Sequence, residues 1–223
     1  MMCADFLDIR QELDTFHRNP IDFLHIDIMD GHYVPNFTLG IDFCKSLKSY
    51  SDIPLDIHLM IENVDQYVEK FCQFRGSWVS FHPESTWHPV RTIEQIRSFG
   101  CKAGIALDTG VDIEQYKGLY KLVDFVLVMT VTPGYAGQKL LPFCLDKVSR
   151  LTDYFKQNNI HAEIEVDGNV SWENIPVMVE AGAKILVTGS SSVFDENYSR
   201  EEAIQKVKKI LKPFEEKKPC TTI

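Results

Sequence analysis

Short apolar runs alternate along the chain with longer segments in which apolar residues recur at helical spacing. Seven of the apolar runs are short and extended in character, and each is followed by a helical pattern. A further amphipathic segment precedes the first run. The predicted strands are residues 23–29, 55–60, 78–81, 102–107, 125–129, 162–166 and 185–188. The predicted helices are residues 4–19, 41–49, 64–74, 90–99, 113–116, 141–158, 172–181 and 201–211.

Regular strand–helix alternation predicts an α/β fold with a parallel sheet and helices outside it, here a (β/α)₈ TIM barrel. Seven strands are one fewer than such a barrel contains. A first strand would have to lie before or within residues 1–3, so we expect it to be truncated or missing. We find no interdomain linker and expect residues 1–223 to form a single domain with a polar tail from about residue 213.

The charge balance limits the classes of partner. A net charge of -9 argues against nucleic acid and anionic membranes, because both would be repelled over most of the surface. It leaves room for a phosphorylated small molecule at a local positive site. Six cysteines without a C-x-x-C pair indicate reduced thiols and a cytoplasmic location. No apolar run reaches the roughly 18 residues that a membrane-spanning helix needs.

Polar residues interrupt three of the predicted strands near their carboxyl ends. His25, Asp27 and Met29 fall on one face of the first strand, because side chains alternate with a period of two. His58 ends the second strand and Asp167 follows the sixth. Imidazoles and carboxylates are ligands of divalent ions, so these residues form a candidate metal site. An edge strand with a solvated polar face is the alternative interpretation of the first of these patterns.

Five motifs occur in a fixed order along the chain. They are HIDIMDGHYVPN at 25–36, DIHLM at 56–60, MTVTPGYAGQ at 129–138, VDG at 166–168 and TGS at 188–190. In this order they resemble the ribulose-phosphate 3-epimerases. The resemblance implies metal-dependent interconversion of the C3 epimers of a ketose phosphate through an enediolate, without a nucleotide or redox cofactor.

The resemblance also implies roles for individual residues. The implied metal ligands are His25, Asp27, His58 and Asp167. Asp27 and Asp167 are the implied acid/base pair, which suits the chemistry because inversion needs one group to take a proton and another to return one on the opposite face. Two imidazoles and two carboxylates suit Zn²⁺, and Fe²⁺, Mn²⁺ or Co²⁺ also fit.

Further residues are expected to contact the substrate. Met29, Met60 and Met129 end strands and would give the reacting carbons a dry lining, and His58 is also a substrate contact by resemblance. The expected phosphate-binding positions lie in three glycine-containing loops, whose backbone N–H groups can approach an anion closely. They are Gly134, Tyr135, Ala136, Gly137, Gly168, Asn169, Gly189 and Ser190.

The sequence leaves the exact activity open. D-ribulose 5-phosphate to D-xylulose 5-phosphate is the broader interpretation, whereas Ala136, Asn169 and the run from His82 to Glu84 lean toward the D-allulose 6-phosphate to D-fructose 6-phosphate branch. A methylene-sized difference discriminates weakly between such substrates. A non-catalytic sugar-phosphate binding protein is the remaining alternative. A decarboxylase of the orotidine-phosphate type is disfavoured, because residues 27–30 include no lysine. We also expect a homo-oligomer.

Overall fold

A computed structural model describes residues 1–215, and within them seven strands form one parallel sheet. The strands are hydrogen-bonded in chain order from β1 to β7, and each is connected to the next through helical segments. The strands are β1 Leu24–Met29, β2 Leu55–Met60, β3 Trp78–Phe81, β4 Lys102–Leu107, β5 Phe125–Met129, β6 Glu163–Asp167 and β7 Ile185–Val187. The predicted barrel-type α/β fold is confirmed.

Seven α-helices accompany the sheet in the described residues. They are α1 Ile9–Arg18, α2 Ile41–Tyr50, α3 Val68–Phe71, α4 Pro89–Ser98, α5 Pro142–Asn158, α6 Asn174–Ala181 and α7 Arg200–Glu215. Short 3₁₀ turns occupy Val64–Gln66, Pro83–Ser85 and Ile113–Tyr116. No helix within residues 1–215 is long and apolar enough to cross a membrane. The predicted polar tail overlaps the end of α7, and its residues 216–223 lie outside the described part of the chain.

Two predicted helices differ from the structure. The first was expected from residue 4 but begins at Ile9, because the Asp5 carboxylate accepts the Leu7 amide at 2.9 Å and closes a turn instead. The helix expected over 64–74 is a 3₁₀ turn followed by the four-residue α3. There the Asp65 carboxylate is hydrogen-bonded to Thr86 and Thr92 of the next strand–helix unit, both at 2.6 Å.

The two edges of the sheet are β1 and β7, and no strand precedes α1 in the described residues. The expectation that a first strand is truncated or missing stays a prediction. The segment before α1 nevertheless contacts β1, since the Met1 nitrogen donates to the carbonyl oxygen of His25 at 2.6 Å. The Met1 side chain is buried in the core.

The sheet has one apolar face covered by helices and one inner face that is partly polar. Ile26 and Ile28 of β1 belong to the main apolar cluster, together with residues such as Leu13 of α1 and Leu47 of α2. Side chains of the opposite parity, such as Asp27, point into the barrel. Because side chains alternate along each strand, the residues that pack in the apolar core lie on one face and the polar candidate-site residues lie on the other.

Gly104 offers a test of packing inside the barrel. A Cβ atom at this position would lie 2.3 Å from a ring carbon of Phe125, whose ring packs against Trp78 with centroids 4.8 Å apart. We expect Gly104→Ala to lower the free energy of unfolding in urea by about 1–3 kcal/mol through overpacking. Gly110→Ala is the control, since nothing lies within 4 Å of its added Cβ. Equal stability of the two variants would contradict this account.

Candidate functional site

The carboxyl ends of the strands bring the predicted ligand residues together. Parallel register places His25 beside Asp56 and Asp27 beside His58 on β1 and β2. Asp167 ends β6 beside Met129 of β5. Because these residues share the inner-face parity of their strands, their side chains converge at the mouth of the barrel, where active sites of this architecture lie.

The four predicted metal ligands form one cluster. Each of the four residues His25, Asp27, His58 and Asp167 offers one donor atom, and these atoms all lie within 4.8 Å of one another. Asp27 Oδ1 is 3.3 Å from His25 Nε2 and 3.5 Å from His58 Nδ1, and Asp167 Oδ2 is 4.0 Å from His25 Nε2.

Two atoms of the cluster test whether it fits a cation. His25 Nε2 and His58 Nδ1 are buried and have no hydrogen-bond partner within the described residues. Leaving a buried polar atom without a partner costs free energy, and both atoms point toward the carboxylates. Two nitrogen and two oxygen donors also match the ligand preference of a divalent transition metal. The donor set therefore fits a divalent ion.

The cluster strongly perturbs its own pKa values. Burial lowers the pKa of His25, but the carboxylates of Asp56 and Asp27 outweigh burial and raise it well above the usual histidine value. Burial raises the pKa of Asp27, yet the His25 and His58 imidazoles hold it well below its usual range. Burial and the neighbouring Asp27 raise the pKa of Asp167 to about 7. Burial lowers the pKa of His58 to about 4.

A cavity opens above the cluster and is lined by most of the predicted substrate residues. Met29, Met60 and Met129 lie on its wall with Asp27 and Asp167. His58 does not line this cavity, because its side chain is fully buried beneath it. The expected substrate contact of His58 thus stays a prediction, and its place in the structure is that of a buried ligand.

All eight predicted phosphate-binding residues line the same cavity. They are Gly134, Tyr135, Ala136, Gly137, Gly168, Asn169, Gly189 and Ser190. The amide groups of Gly134, Ala136 and Gly137 donate no hydrogen bond within the described residues, so they are available to an anion. Asn169 is oriented by its surroundings, since its side chain accepts the Leu140 amide at 3.2 Å and donates to Ser191 Oγ at 3.0 Å.

Gly168 is required by the backbone of this cavity. Its φ of +116° is disfavoured for residues with a side chain. An added Cβ would also lie 2.6 Å from a methyl carbon of Val131 and 2.8 Å from the Val131 backbone nitrogen. The close approach of these two segments places the end of β6 against the loop that follows β5.

The loop after β5, which lines the cavity, is joined to the loop after β1. The Asn36 side-chain amide donates to the Gly134 carbonyl oxygen at 2.7 Å, and the Tyr135 hydroxyl donates to the Pro35 carbonyl oxygen at 2.8 Å. The loop after β1 therefore rests on the loop after β5, on the side of the cavity where the free amides lie.

Comparison with known sequences assigns the family. The Ribulose-phosphate 3 epimerase family profile matches residues 1–194. The chain belongs to this family. It is 37% identical to the ribulose-phosphate 3-epimerase of Helicobacter pylori over 214 residues, covering 96% of this chain and 97% of that protein. It is also 37% identical to the Bacillus subtilis ribulose-phosphate 3-epimerase, covering 93% of this chain and 95% of that protein.

Solved structures support the barrel fold alone. A tryptophan synthase alpha-subunit from Pyrococcus furiosus superposes with a TM-score of 0.65 at 15% identity, covering 94% of each chain. At that identity the likeness carries no information about the reaction of this family member.

Two carboxylates beside His25 were not predicted from the sequence. Asp56 Oδ2 lies 2.5 Å from His25 Nδ1, and Glu165 Oε1 lies 3.7 Å from the same nitrogen. Asp56 and Glu165 each stand two residues before a predicted ligand, on the same face of the strand, which is the signal that could have identified them. A proton on Nδ1 directed at Asp56 leaves the Nε2 lone pair of His25 free for an ion.

His82 directly follows β3, and its side chain is completely buried. Its Nε2 lies 3.0 Å from His58 Nε2, and the Tyr33 ring stacks over it with centroids 4.6 Å apart. His82 therefore contacts a candidate ligand and does not line the cavity.

The His25–Asp56 contact predicts a defect in metal binding. We expect Asp56→Ala to weaken Zn²⁺ affinity about 10–100-fold, because it removes the acceptor that holds the proton on His25 Nδ1. Isothermal titration calorimetry on the metal-free protein measures this affinity. Asp52→Ala, at an exposed position before β2, is the control. An affinity of Asp56→Ala equal to that of the parent chain would refute the orienting role of this carboxylate.

Proposed function

We propose that this chain is a metal-dependent 3-epimerase that interconverts D-ribulose 5-phosphate and D-xylulose 5-phosphate. The observation that carries the proposal is the pair of carboxylates, Asp27 on β1 and Asp167 on β6, that meet at the mouth of the barrel with two imidazoles. The printed names of the relatives favour the same substrate.

The two carboxylates would work on opposite faces of the sugar. One takes the proton from C3, and the electron pair left behind moves into the C2 carbonyl to give an enediolate. The other returns a proton to C3 from the opposite face, so the configuration at that carbon is inverted. After one turnover the two carboxylates have exchanged protonation states, and exchange with solvent or the reverse reaction restores them.

The metal site is part of the same proposal. His25, Asp27, His58 and Asp167 would hold one divalent ion, and Zn²⁺ suits two imidazoles and two carboxylates. When bound, such an ion supplies positive charge that stabilises the negative charge developing on the sugar oxygens. The chain's own contribution is to fix both carboxylates and to bury them against His25 and His58, away from competing water.

The remaining contacts would select and orient the substrate. Met29, Met60 and Met129 give the carbons between the carboxylates and the phosphate an apolar wall that donates no proton. The free amides of the loop containing Gly134 and Gly137, together with the neighbouring loops of β6 and β7, would bind the phosphate.

Several sequence-based expectations stay predictions. D-allulose 6-phosphate is the alternative substrate, because its additional carbon needs only a slightly deeper pocket. A non-catalytic sugar-phosphate binding protein would use the same cavity without turnover. The expected homo-oligomer, the cytoplasmic location and the lack of a nucleic-acid partner likewise rest on sequence alone.

Solvent deuterium incorporation tests the reaction directly. We expect the chain with Zn²⁺, incubated in deuterated water with ribulose 5-phosphate, to introduce deuterium at C3 as the epimer forms, observed by proton NMR. Asp27→Asn and Asp167→Asn should each lower the rate by about 100-fold or more at saturating metal, because each removes one proton-transfer group. Bound metal is measured on the same samples.

The controls separate the parts of this proposal. Asp42→Asn, on the exposed side of α2, should exchange at the parent rate. Faster turnover of allulose 6-phosphate would change the substrate assignment and keep the mechanism. Parent-rate exchange by both active-site variants would refute the acid/base assignment, and no exchange from either sugar would leave only the binding-protein alternative.

The phosphate-binding part of the cavity makes a separate prediction. Ser190→Asp places a negative charge beside the expected phosphate, so we expect KM for ribulose 5-phosphate to rise about tenfold or more, with a smaller change in kcat. Steady-state kinetics at fixed ionic strength measure both constants. Ser149→Asp adds the same charge on the exposed side of α5 and should leave KM unchanged. An unchanged KM for Ser190→Asp would place the phosphate elsewhere.

A further inference from the structure

The second candidate ligand, His58, has both ring nitrogens directed at named partners. Nδ1 faces Asp27 Oδ1 at 3.5 Å, and Nε2 lies 3.0 Å from Nε2 of His82. Both imidazoles are fully buried. Two imidazole nitrogens at hydrogen-bond distance require that one donates and the other accepts. The tautomer of His58 and that of His82 are therefore linked.

His82 in turn faces a carboxylate. Its Nδ1 is buried, has no hydrogen-bond partner within the described residues, and lies 3.6 Å from Glu84 Oε1. Glu84 also accepts hydrogen bonds from the hydroxyls of Tyr33 at 2.9 Å and Tyr116 at 3.2 Å. Burial raises the pKa of Glu84, but its contacts with His82 and Tyr33 lower it to about 2, so its carboxylate is ionised at neutral pH.

A metal ion accepts a lone pair only from an unprotonated nitrogen. If His58 binds through Nδ1, its proton stands on Nε2 and is donated to His82 Nε2. His82 then carries its own proton on Nδ1, where only Glu84 is within reach among the described residues. The tautomer of His58 thus determines the tautomer of His82, whose proton on Nδ1 faces Glu84.

We propose that Glu84 and His82 are positioning residues that fix the tautomer of His58, so that its Nδ1 lone pair faces the metal position. The inference rests on the metal site of the proposed function. In this arrangement each ligand imidazole has a supporting carboxylate. Asp56 contacts His25 directly, whereas Glu84 is connected to His58 through the His82 ring. Supporting groups of this kind raise the affinity of a histidine for its metal.

The tautomers can be observed in the full chain loaded with Zn²⁺. Long-range proton–nitrogen correlation spectra of protein with ¹⁵N-labelled histidine report which ring nitrogen carries the proton. We expect His58 to be protonated on Nε2 and His82 on Nδ1. A proton on Nε2 of His82 in the loaded protein would overturn the inference. This measurement needs no substitution at Glu84, so it holds even if a variant at that position fails to fold.

Metal affinity provides the second test. We expect Glu84→Ala to weaken Zn²⁺ binding about tenfold or more, measured by calorimetry. Glu84→Gln should recover most of the affinity, because its amide oxygen can take the place of the carboxylate oxygen that faces His82 Nδ1. A merely structural role of this side chain would not give this difference together with a changed tautomer of His82.

Matched controls distinguish the carboxylate from its surroundings. Glu62→Ala removes an exposed carboxylate whose side chain makes no ion pair or hydrogen bond within the described residues, and should bind Zn²⁺ as the parent does. Tyr116→Phe removes one hydrogen bond to Glu84 and keeps its charge. Parent-like affinity and tautomers in Glu84→Ala would refute this inference alone. A parent chain that binds no Zn²⁺ would refute the metal site as well.

Discussion

The mouth of the barrel depends on one imidazole that is held by carboxylates at both of its nitrogens. His25 Nδ1 contacts Asp56 and Glu165, whereas Nε2 contacts Asp27 and Asp167. These contacts join β1 to both β2 and β6. In the described residues β1 and β7 are the two edges of the sheet, so no ladder of backbone hydrogen bonds joins β1 to β6. Side chains that cross the interior connect these two strands instead. The His25 ring thus lies between Asp56 on one side and the two candidate acid/base carboxylates on the other.

Such a cluster is costly to bury, and the remainder of the fold offsets that cost. The side chains of Asp56, His58 and Glu165 are almost entirely inaccessible, and several of their polar atoms have no partner within residues 1–215. Burying ionised groups is unfavourable unless each is paired. The apolar layer between the outer face of the sheet and the helices provides the compensating burial. A fold of this kind can keep unpaired atoms at the mouth, where an ion or substrate can satisfy them.

The features that could be predicted from the sequence are those with a periodic pattern of apolar and polar residues within one segment. Seven strands followed from apolar runs and period-two alternation. Alternation on the first strand brought out His25 and Asp27 as candidate ligands, positions at the ends of two other strands brought out His58 and Asp167, and the family resemblance implied the four as one set. Asp56 and Glu165 follow the same parity but were missed, because acidic residues are seldom expected to be fully buried. The break in the helix near Tyr67 depends on Asp65 contacting two threonines of the next unit, and the His58–His82 contact joins two strands. Contacts between different strand–helix units produce no periodic pattern in the sequence.

The contact between the loops after β1 and β5 has a kinetic consequence. Asn36 binds the Gly134 carbonyl and Tyr135 binds the Pro35 carbonyl, so two segments about 100 residues apart share one pair of hydrogen bonds. Neither loop can move away from the other without breaking these bonds. The two loops are therefore expected to open together, since separation of either one requires both hydrogen bonds to break.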